Sequence, residues 1–147
     1  MKKCFKYILF ALLPIMAVAL SSCTDQSLLV RFNVKFAPET RIKDNIIYMV
    51  QGETLKILDV ELTNLDKVKK ASINKVLFDL NNMVFEYAET KPYSVELSSE
   101  GATLGEHILV VTCYFKTDGQ DRIDTNMFVI YLVESEDQIP PTHKEIK

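Results

Sequence analysis

The feature that most limits the fold is a repeated pattern of short β-type runs between residues 28 and 133. The runs are rich in β-branched and aromatic residues, and turn-forming residues separate them at roughly 8–12-residue spacing. In 28–36, LLVRFNVKF, apolar and polar side chains alternate, which is the pattern of a half-buried strand. The polar stretch 64–72 has too few apolar residues to bury a helical face, and it is predicted to be a loop or a single helical turn. The chain is therefore predicted to be an all-β sandwich of about seven to eight strands.

The connections between the runs indicate how the strands pair. They are too short for crossover helices, so antiparallel pairing is expected. Asn81 and Asn82 predict a tight turn between strands 73–80 and 83–87, because asparagine tolerates a positive φ. The segment 106–116, EHILVVTCYFK, is apolar on both faces and is predicted to be the central strand of a two-layer fold. A turn at 117–120 leads into the last strand, 124–134.

The N-terminal residues have the composition of an export signal. Three lysines precede an apolar run of 14 residues, 7–20. This run is shorter than the ~20 residues needed to cross a bilayer as a helix, and it matches a signal-peptide core. A buried N-terminal helix is the alternative. Small residues follow, as a signal peptidase requires, so residues 1–22 are predicted to be a signal peptide.

The run ends in Leu20-Ser21-Ser22-Cys23, which resembles the bacterial lipoprotein box. The resemblance implies cleavage between Ser22 and Cys23 and a lipid on the Cys23 sulfur. A protein carrying two or more acyl chains is stably anchored, whereas one chain binds only marginally. An ordinary secreted protein cut near Ser22 is the alternative.

Asp25 does not directly follow the cysteine, as an inner-membrane retention signal would. This favours the outer membrane, with periplasmic or surface exposure left open. The mature chain is divided into a lipidated N-terminus and short linker (23–27), the sandwich (28–134) and a disordered polar tail (135–147).

Charge and cysteine content exclude further classes. Without the three lysines of residues 1–22, the chain has 14 basic and 20 acidic residues, a net charge of −6. A nucleic-acid partner, which calls for a basic patch, is therefore not expected. If Cys4 is removed with the signal and Cys23 carries lipid, Cys113 has no disulfide partner. It is predicted to be a small buried hydrophobic residue, with a reactive thiol as the alternative.

No set of residues indicates catalysis, a metal or a cofactor. His107 and Cys113 lie six apart on one strand, about 20 Å from each other, so they cannot share a metal. Asp118, Asp121 and Asp124 suggest either a weak calcium site or a solvated acidic loop, and the loop is favoured. Five aromatic residues could form a platform for stacking sugars, but core or sheet-face packing is favoured: Tyr48, Phe85, Tyr87, Tyr114 and Tyr131. An enzyme is not expected.

Three segments together resemble bacterial immunoglobulin-like domains: 76–79 (VLFD), 91–95 (KPYSV) and 105–111 (GEHILVV). The chain departs from that pattern at Asn81-Asn82, where Asp-Gly is usual, and at Thr112-Cys113, where alanines are common. The resemblance implies an immunoglobulin-like antiparallel sandwich. It also implies a conformational role for Gly105, core positions for Tyr93 and Leu97, and a structural role for His107. The whole chain is similar to small immunoglobulin-like lipoproteins of Bacteroidetes.

Three functions are consistent with the sequence and are stated as hypotheses. The first is a non-enzymatic, lipid-anchored envelope module for protein–protein interaction or spacing, with the membrane and an envelope protein as partners. The alternative is a glycan-binding surface lipoprotein. The least favoured is an envelope hydrolase, which requires a deep pocket with a histidine or a pair of acids. The sequence does not identify the ligand.

Overall fold

The computed structural model describes residues 30–66, 68–81 and 83–141. They form nine strands: β1 Arg31–Phe36, β2 Arg41–Lys43, β3 Ile46–Val50, β4 Thr54–Thr63, β5 Ala71–Leu80, β6 Met83–Ala88, β7 Val95–Ser98, β8 Gly105–Thr117 and β9 Gln120–Val133. A single 3-10 turn, Glu136–Gln138, follows β9. Residues 64–66 and 68–70 form a loop, as predicted, but the predicted loop extended to residue 72, and Ala71 and Ser72 already belong to β5. Within this part of the chain no helix is long and apolar enough to span a membrane.

The strands form two sheets, one of three strands in the order β1-β4-β7 and one of six in the order β2-β3-β9-β8-β5-β6. In the lettering of immunoglobulin domains, β1, β4 and β7 are strands A, B and E. The strands β9, β8 and β5 are G, F and C, and β6 is an added C′ strand. The fold is an immunoglobulin-like β-sandwich, which confirms the predicted fold class. The ninth strand is β2, which has only three residues and therefore shows no alternation in the sequence.

The core lies between the sheets and is built from the alternating positions that face inward. The largest fully buried side chains come from both layers: Ile47, Ile57, Val60, Val76, Phe78, Leu109, Val111 and Cys113. Tyr93 and Leu97 are buried in the same cluster, as the resemblance implied. At one edge, Phe36 meets Phe128 edge to face, with ring centroids 5.0 Å apart, a favoured aromatic arrangement.

One pair of strands contradicts the expectation of antiparallel pairing throughout. β3 and β9 are parallel, with Ile46 opposite Val129 and Val50 opposite Val133. The expectation was argued from the length of connections between consecutive strands. β3 and β9 are distant in the sequence, so the length of a connecting loop does not limit their relative direction.

The β8–β9 turn is tighter than predicted. Thr117 is already paired with Gln120, so only Asp118 and Gly119 form the loop. Both have positive φ, 48° and 85°, as a two-residue type I′ hairpin requires. β9 therefore starts four residues earlier than the predicted strand. As a result, β8 and β9 are paired from Gly105 opposite Leu132 to Thr117 opposite Gln120.

Several predictions concern residues outside the described ranges. The signal peptide, the cleavage bond Ser22–Cys23 and the lipidated Cys23 lie there, as do residues 142–147 of the predicted tail. Residues 135–141 of the predicted tail are described. There, the Glu136 carboxylate lies 3.2 Å from the Arg41 guanidinium, so the chain after β9 contacts β2.

Candidate interaction surface

The six-stranded sheet has one face toward the core and one face, here called the outer face, away from it. Along β8 the buried positions are Leu109, Val111, Cys113 and Phe115, so the residues between them point outward. Register carries this alternation to the neighbours, since Leu77 of β5 and Thr125 of β9 both lie opposite Thr112. The outer face is therefore defined on five adjacent strands, from β3 to β6.

Most of these outward side chains are apolar. They form a band across the sheet made of Ile46, Tyr48, Leu77, Val84, Tyr87, Ile108, Val110, Tyr114, Ile123, Met127, Val129 and Tyr131. Met127 is 63% exposed and Ile123 65% exposed, and Tyr131 and Tyr87 are also exposed. Antiparallel sheets usually have one polar, solvated face. An apolar band of this extent on a monomer is typical of an interaction surface.

Charged residues border the band, and the two lysines lie at one end of it only. Lys75 and Lys116 lie at the end next to the β8–β9 turn, where the Lys75 ammonium sits 4.8 Å from the centroid of the Tyr114 ring. Asp79 lies opposite Val110, nearer the other end, and Glu106 lies opposite Tyr131 at that end. The outer face is thus apolar in the middle, with Lys75, Lys116 and the Lys116 partner Asp121 at one end and the acidic Asp79 and Glu106 toward the other.

The five aromatic residues considered as a sugar platform lie at the surface and not in the core. Tyr48 and Tyr131 are neighbours on β3 and β9, with ring centroids 6.3 Å apart and planes at 59°. Tyr87 lies on β6, four strands from Tyr48 and six residues farther along the strands, so the two are roughly 28 Å apart. The structure brings two of the five together as a pair and places the others elsewhere on the surface.

His107 holds two loops against the start of β8. Its Nε2 donates to the Thr103 carbonyl oxygen at 2.7 Å, and its Nδ1 lies 2.8 Å from Asn81 Nδ2. Because the carbonyl can only accept, Nε2 carries the proton and Nδ1 accepts from the amide. Asn81 Oδ1 in turn accepts from the Ile108 N–H at 2.9 Å. His107 thus has the structural role that the resemblance implied, and the cavity beside it measures only about 30 Å³, room for a water or two.

Cys113 is fully buried in the core, as predicted. Burial raises the pKa of its thiol to about 12, with a smaller contribution from the nearby Asp124 carboxylate. A thiol with this pKa is almost entirely protonated at neutral pH and is a poor nucleophile.

The three aspartates near the β8–β9 turn do not converge. Asp118 Oδ1 accepts from the backbone N–H groups of Lys69 and Lys70, both at 3.0 Å. Asp124 pairs with Arg31 at 3.1 Å, and Asp121 faces Lys116 at 3.6 Å. Each carboxylate therefore has its own partner. In the described ranges no group of three or more histidine, cysteine or acidic residues is arranged to hold a metal.

A charged cluster that the sequence did not reveal joins β2 to the β3–β4 turn. The Arg41 guanidinium binds both carboxylate oxygens of Glu53, and Glu53 Oε2 also accepts from the Val50 N–H at 2.8 Å. The hydrogen bond from Arg41 lowers the pKa of Glu53, against the opposing effect of its partial burial. The hydrogen bond to Glu53 likewise raises the pKa of Arg41. The partners are separated in the sequence and have no motif, so no local pattern indicates the cluster.

The outer face was also missed, although the sequence contains its signal. Segment 106–116 is apolar on both faces, which by itself predicts a central position in the fold. β8 is central within its sheet, yet the described residues place no third layer over Ile108, Val110 and Tyr114. β9 is also apolar on both faces, because Met127, Val129 and Tyr131 alternate with core residues. Two neighbouring strands of this kind indicate a second apolar face of the sheet.

No protein-family model matches this chain, and no curated protein matches it. Among solved structures, the fibronectin(III)-like modules of Clostridium thermocellum CbhA are 20% identical, with a TM-score of 0.46; the match covers 80% of this chain and 54% of that one. A lytic polysaccharide monooxygenase from Jonesia denitrificans is 11% identical, with a TM-score of 0.34, and the match covers 58% and 56% of the two chains. The match thus spans about half the length of each structure. At these identities and TM-scores, the activities of those proteins are not carried over.

Proposed function

We propose that this chain is a non-enzymatic, lipid-anchored module of the bacterial cell envelope that binds a protein through its outer face. The single observation that supports binding is the exposed apolar band on five adjacent strands. The support for the anchor is the Leu20-Ser21-Ser22-Cys23 sequence after a short apolar run. Outer-membrane sorting follows from the absence of an acidic residue directly after Cys23.

The binding part is tested by changing the outer face and comparing it with the opposite sheet. Met127→Lys places a charge in the apolar band, where the residue is 63% exposed. Leu58→Lys is the matched control, because Leu58 is 47% exposed on β4 of the three-stranded sheet. Each full-length chain is tagged, expressed in a bacterium and recovered in mild detergent after in-cell crosslinking. We expect the wild type and Leu58→Lys to retain the same crosslinked protein and Met127→Lys to lose it. Equal retention by all three would refute a role for the outer face.

The anchor is tested separately with Cys23→Ala. Metabolic labelling with a palmitate analogue should mark the wild type and leave the variant unlabelled. The wild type should partition into a detergent phase, because two or more acyl chains hold a protein firmly at a membrane. A labelled Cys23→Ala protein would show that the lipid is attached at another residue.

Glycan binding is retained as a second candidate because Tyr48 and Tyr131 lie side by side on the outer face. A tilted pair of this size can stack on one sugar ring. A glycan array probed with the full-length chain tests this, with Tyr131→Ala as the variant expected to lose binding. Phe85→Ala, on β6, is the control expected to keep it. No binding by the wild type to any glycan would eliminate this candidate.

A further inference from the structure

The pattern of charge on the outer face identifies a partner, and this inference rests on the proposed function of that face. We propose that the outer face binds the outer face of a second copy of this chain. The two copies are related by a two-fold axis that crosses the strands at right angles between the levels of Leu77 on β5 and Val111 on β8. Leu77 lies opposite Thr112, so these two levels are one residue, about 3.3 Å, apart. Such an interface is self-complementary, as closed dimers require.

The bordering charges select this axis. Rotation about it places the residue two positions before Leu77 over the residue two positions after it, so Lys75 faces Asp79 of the second copy. On β8, Val111 lies midway between Glu106 and Lys116, so these two residues also exchange places. A two-fold axis along β8 would instead place Lys116 over Lys116 and Glu106 over Glu106 of the second copy, and like charges opposite one another disfavour association.

The apolar residues match under the same rotation. Asn126 is the register partner of Val111 on β9, so Ile123 lies over Val129 of the second copy. On β8, Tyr114 lies over Ile108. At the margin, Asp121 faces the Tyr131 hydroxyl, a donor suited to a carboxylate. The same axis therefore pairs opposite charges, apolar side chains and a donor with an acceptor.

The area is sufficient for a stable dimer. Ten residues of β9, β8 and β5 each extend about 33 Å, whereas β3 has five residues and β6 six. At about 4.8 Å between strands, the outer face therefore covers about 650 Å². This lies in the lower part of the range that one partner buries in a specific interface, about 600–1,000 Å². Stacked sheets cross at about 30°, which displaces residues far from the axis most. Lys75 and Asp79 lie within about 7 Å of the axis along the strand, so their pairing is the least affected by the crossing angle.

Charge reversal tests the pairing of Lys75 with Asp79. The full-length chain is purified in mild detergent, and its dimer dissociation constant is measured by sedimentation velocity over a concentration series. Lys75→Glu and Asp79→Lys should each weaken the dimer by about tenfold or more, because the two-fold axis creates each like-charge contact twice. The double variant Lys75→Glu/Asp79→Lys should restore the dimer to within about threefold of the wild type. Lys56→Glu, outward on β4, is the matched control and should leave the constant unchanged.

The outcomes separate this inference from the proposed function. A wild type that stays monomeric, while Met127 still determines the retention of another protein, refutes the second copy as partner and leaves the proposed function in place. A dimer unaffected by the single reversals, or one that the double variant does not restore, refutes the axis. If a single reversal prevents folding, Ile123→Lys provides a second variant, because Ile123 is 65% exposed and lies over Val129. It should also weaken the dimer by about tenfold or more, and no change would overturn the proposal.

Discussion

Removing the hydroxyl of Tyr93 should measure the strength of one connection between the two sheets. Tyr93 is 6% exposed, and its hydroxyl donates to the carbonyl oxygen of Ile73 at 3.1 Å. Tyr93 precedes β7 of the three-stranded sheet, whereas Ile73 belongs to β5 of the other. The variant Tyr93→Phe deletes this hydrogen bond and keeps the ring, so it opens no large cavity.

The expected loss follows from these contacts. One hydrogen bond contributes about 1 kcal/mol to the free energy of unfolding, and a buried carbonyl left without its partner raises the loss toward about 2 kcal/mol. In a domain of this size, such a loss lowers the Tm by about 4–8 °C or somewhat more. Because the ring remains, the dependence of the free energy on urea concentration should not change.

Urea denaturation followed by far-UV circular dichroism gives the measurement. Tyr87→Phe is the matched control, because Tyr87 is 59% exposed on β6, and its change should stay within about 0.5 kcal/mol of the wild type. If Tyr93→Phe unfolds at the same urea concentration as Tyr87→Phe, the hydrogen bond to Ile73 does not connect the sheets in the way described.

Three further predictions concern ionisation and the backbone. Burial raises the pKa of the Cys113 thiol from 9.0 to about 12. The thiol therefore ionises first in the unfolded chain, and the free energy of unfolding falls as pH rises above about 9. Cys113→Ala should flatten that part of a pH profile measured by urea denaturation, and an unchanged slope would contradict this. Arg41 lowers the pKa of Glu53 below its usual 4.5. Glu53→Gln should therefore lower the free energy of unfolding by roughly 1 kcal/mol at neutral pH. This difference should disappear as acid protonates Glu53 in the wild type, and it would be independent of pH if the ion pair contributed nothing. Gly119 has a φ of +85° with open space around its Cβ position, so Gly119→Ala should cost about 1 kcal/mol in thermal unfolding through the backbone alone, and Gly119→Asn less.

The sequence predicted the parts of the fold that depend on neighbouring residues. Alternation in 28–36 correctly placed Val30, Phe32 and Val34 in the core, because side chains on a strand point alternately to its two faces. The hairpin of β5 and β6 and the central position of β8 were also confirmed. These features depend on period-two patterning and on residues that tolerate a positive φ.

The parts that were not predicted depend on residues far apart in the sequence. The parallel pairing of β3 with β9 joins strands that no short connection links, so loop length does not determine their relative direction. The binding of Glu53 by Arg41 depends on β2 and the β3–β4 turn meeting in space. The apolar residues Ile108 and Val110 fit a central strand equally well, since a sequence does not show which faces of a sheet remain uncovered.

The parallel pairing of β3 with β9 also determines how the domain responds to tension. If one end of the domain is held at a surface and the other is pulled, β3 is drawn toward its N-terminal end and β9 toward its C-terminal end. In a parallel pair these forces run along the strands in opposite directions, so the hydrogen bonds between Ile46–Val50 and Val129–Val133 bear the load together. An antiparallel hairpin pulled at its two open ends is loaded one bond at a time. This pair of strands should therefore make the domain resist stretching more strongly than its equilibrium stability alone would suggest.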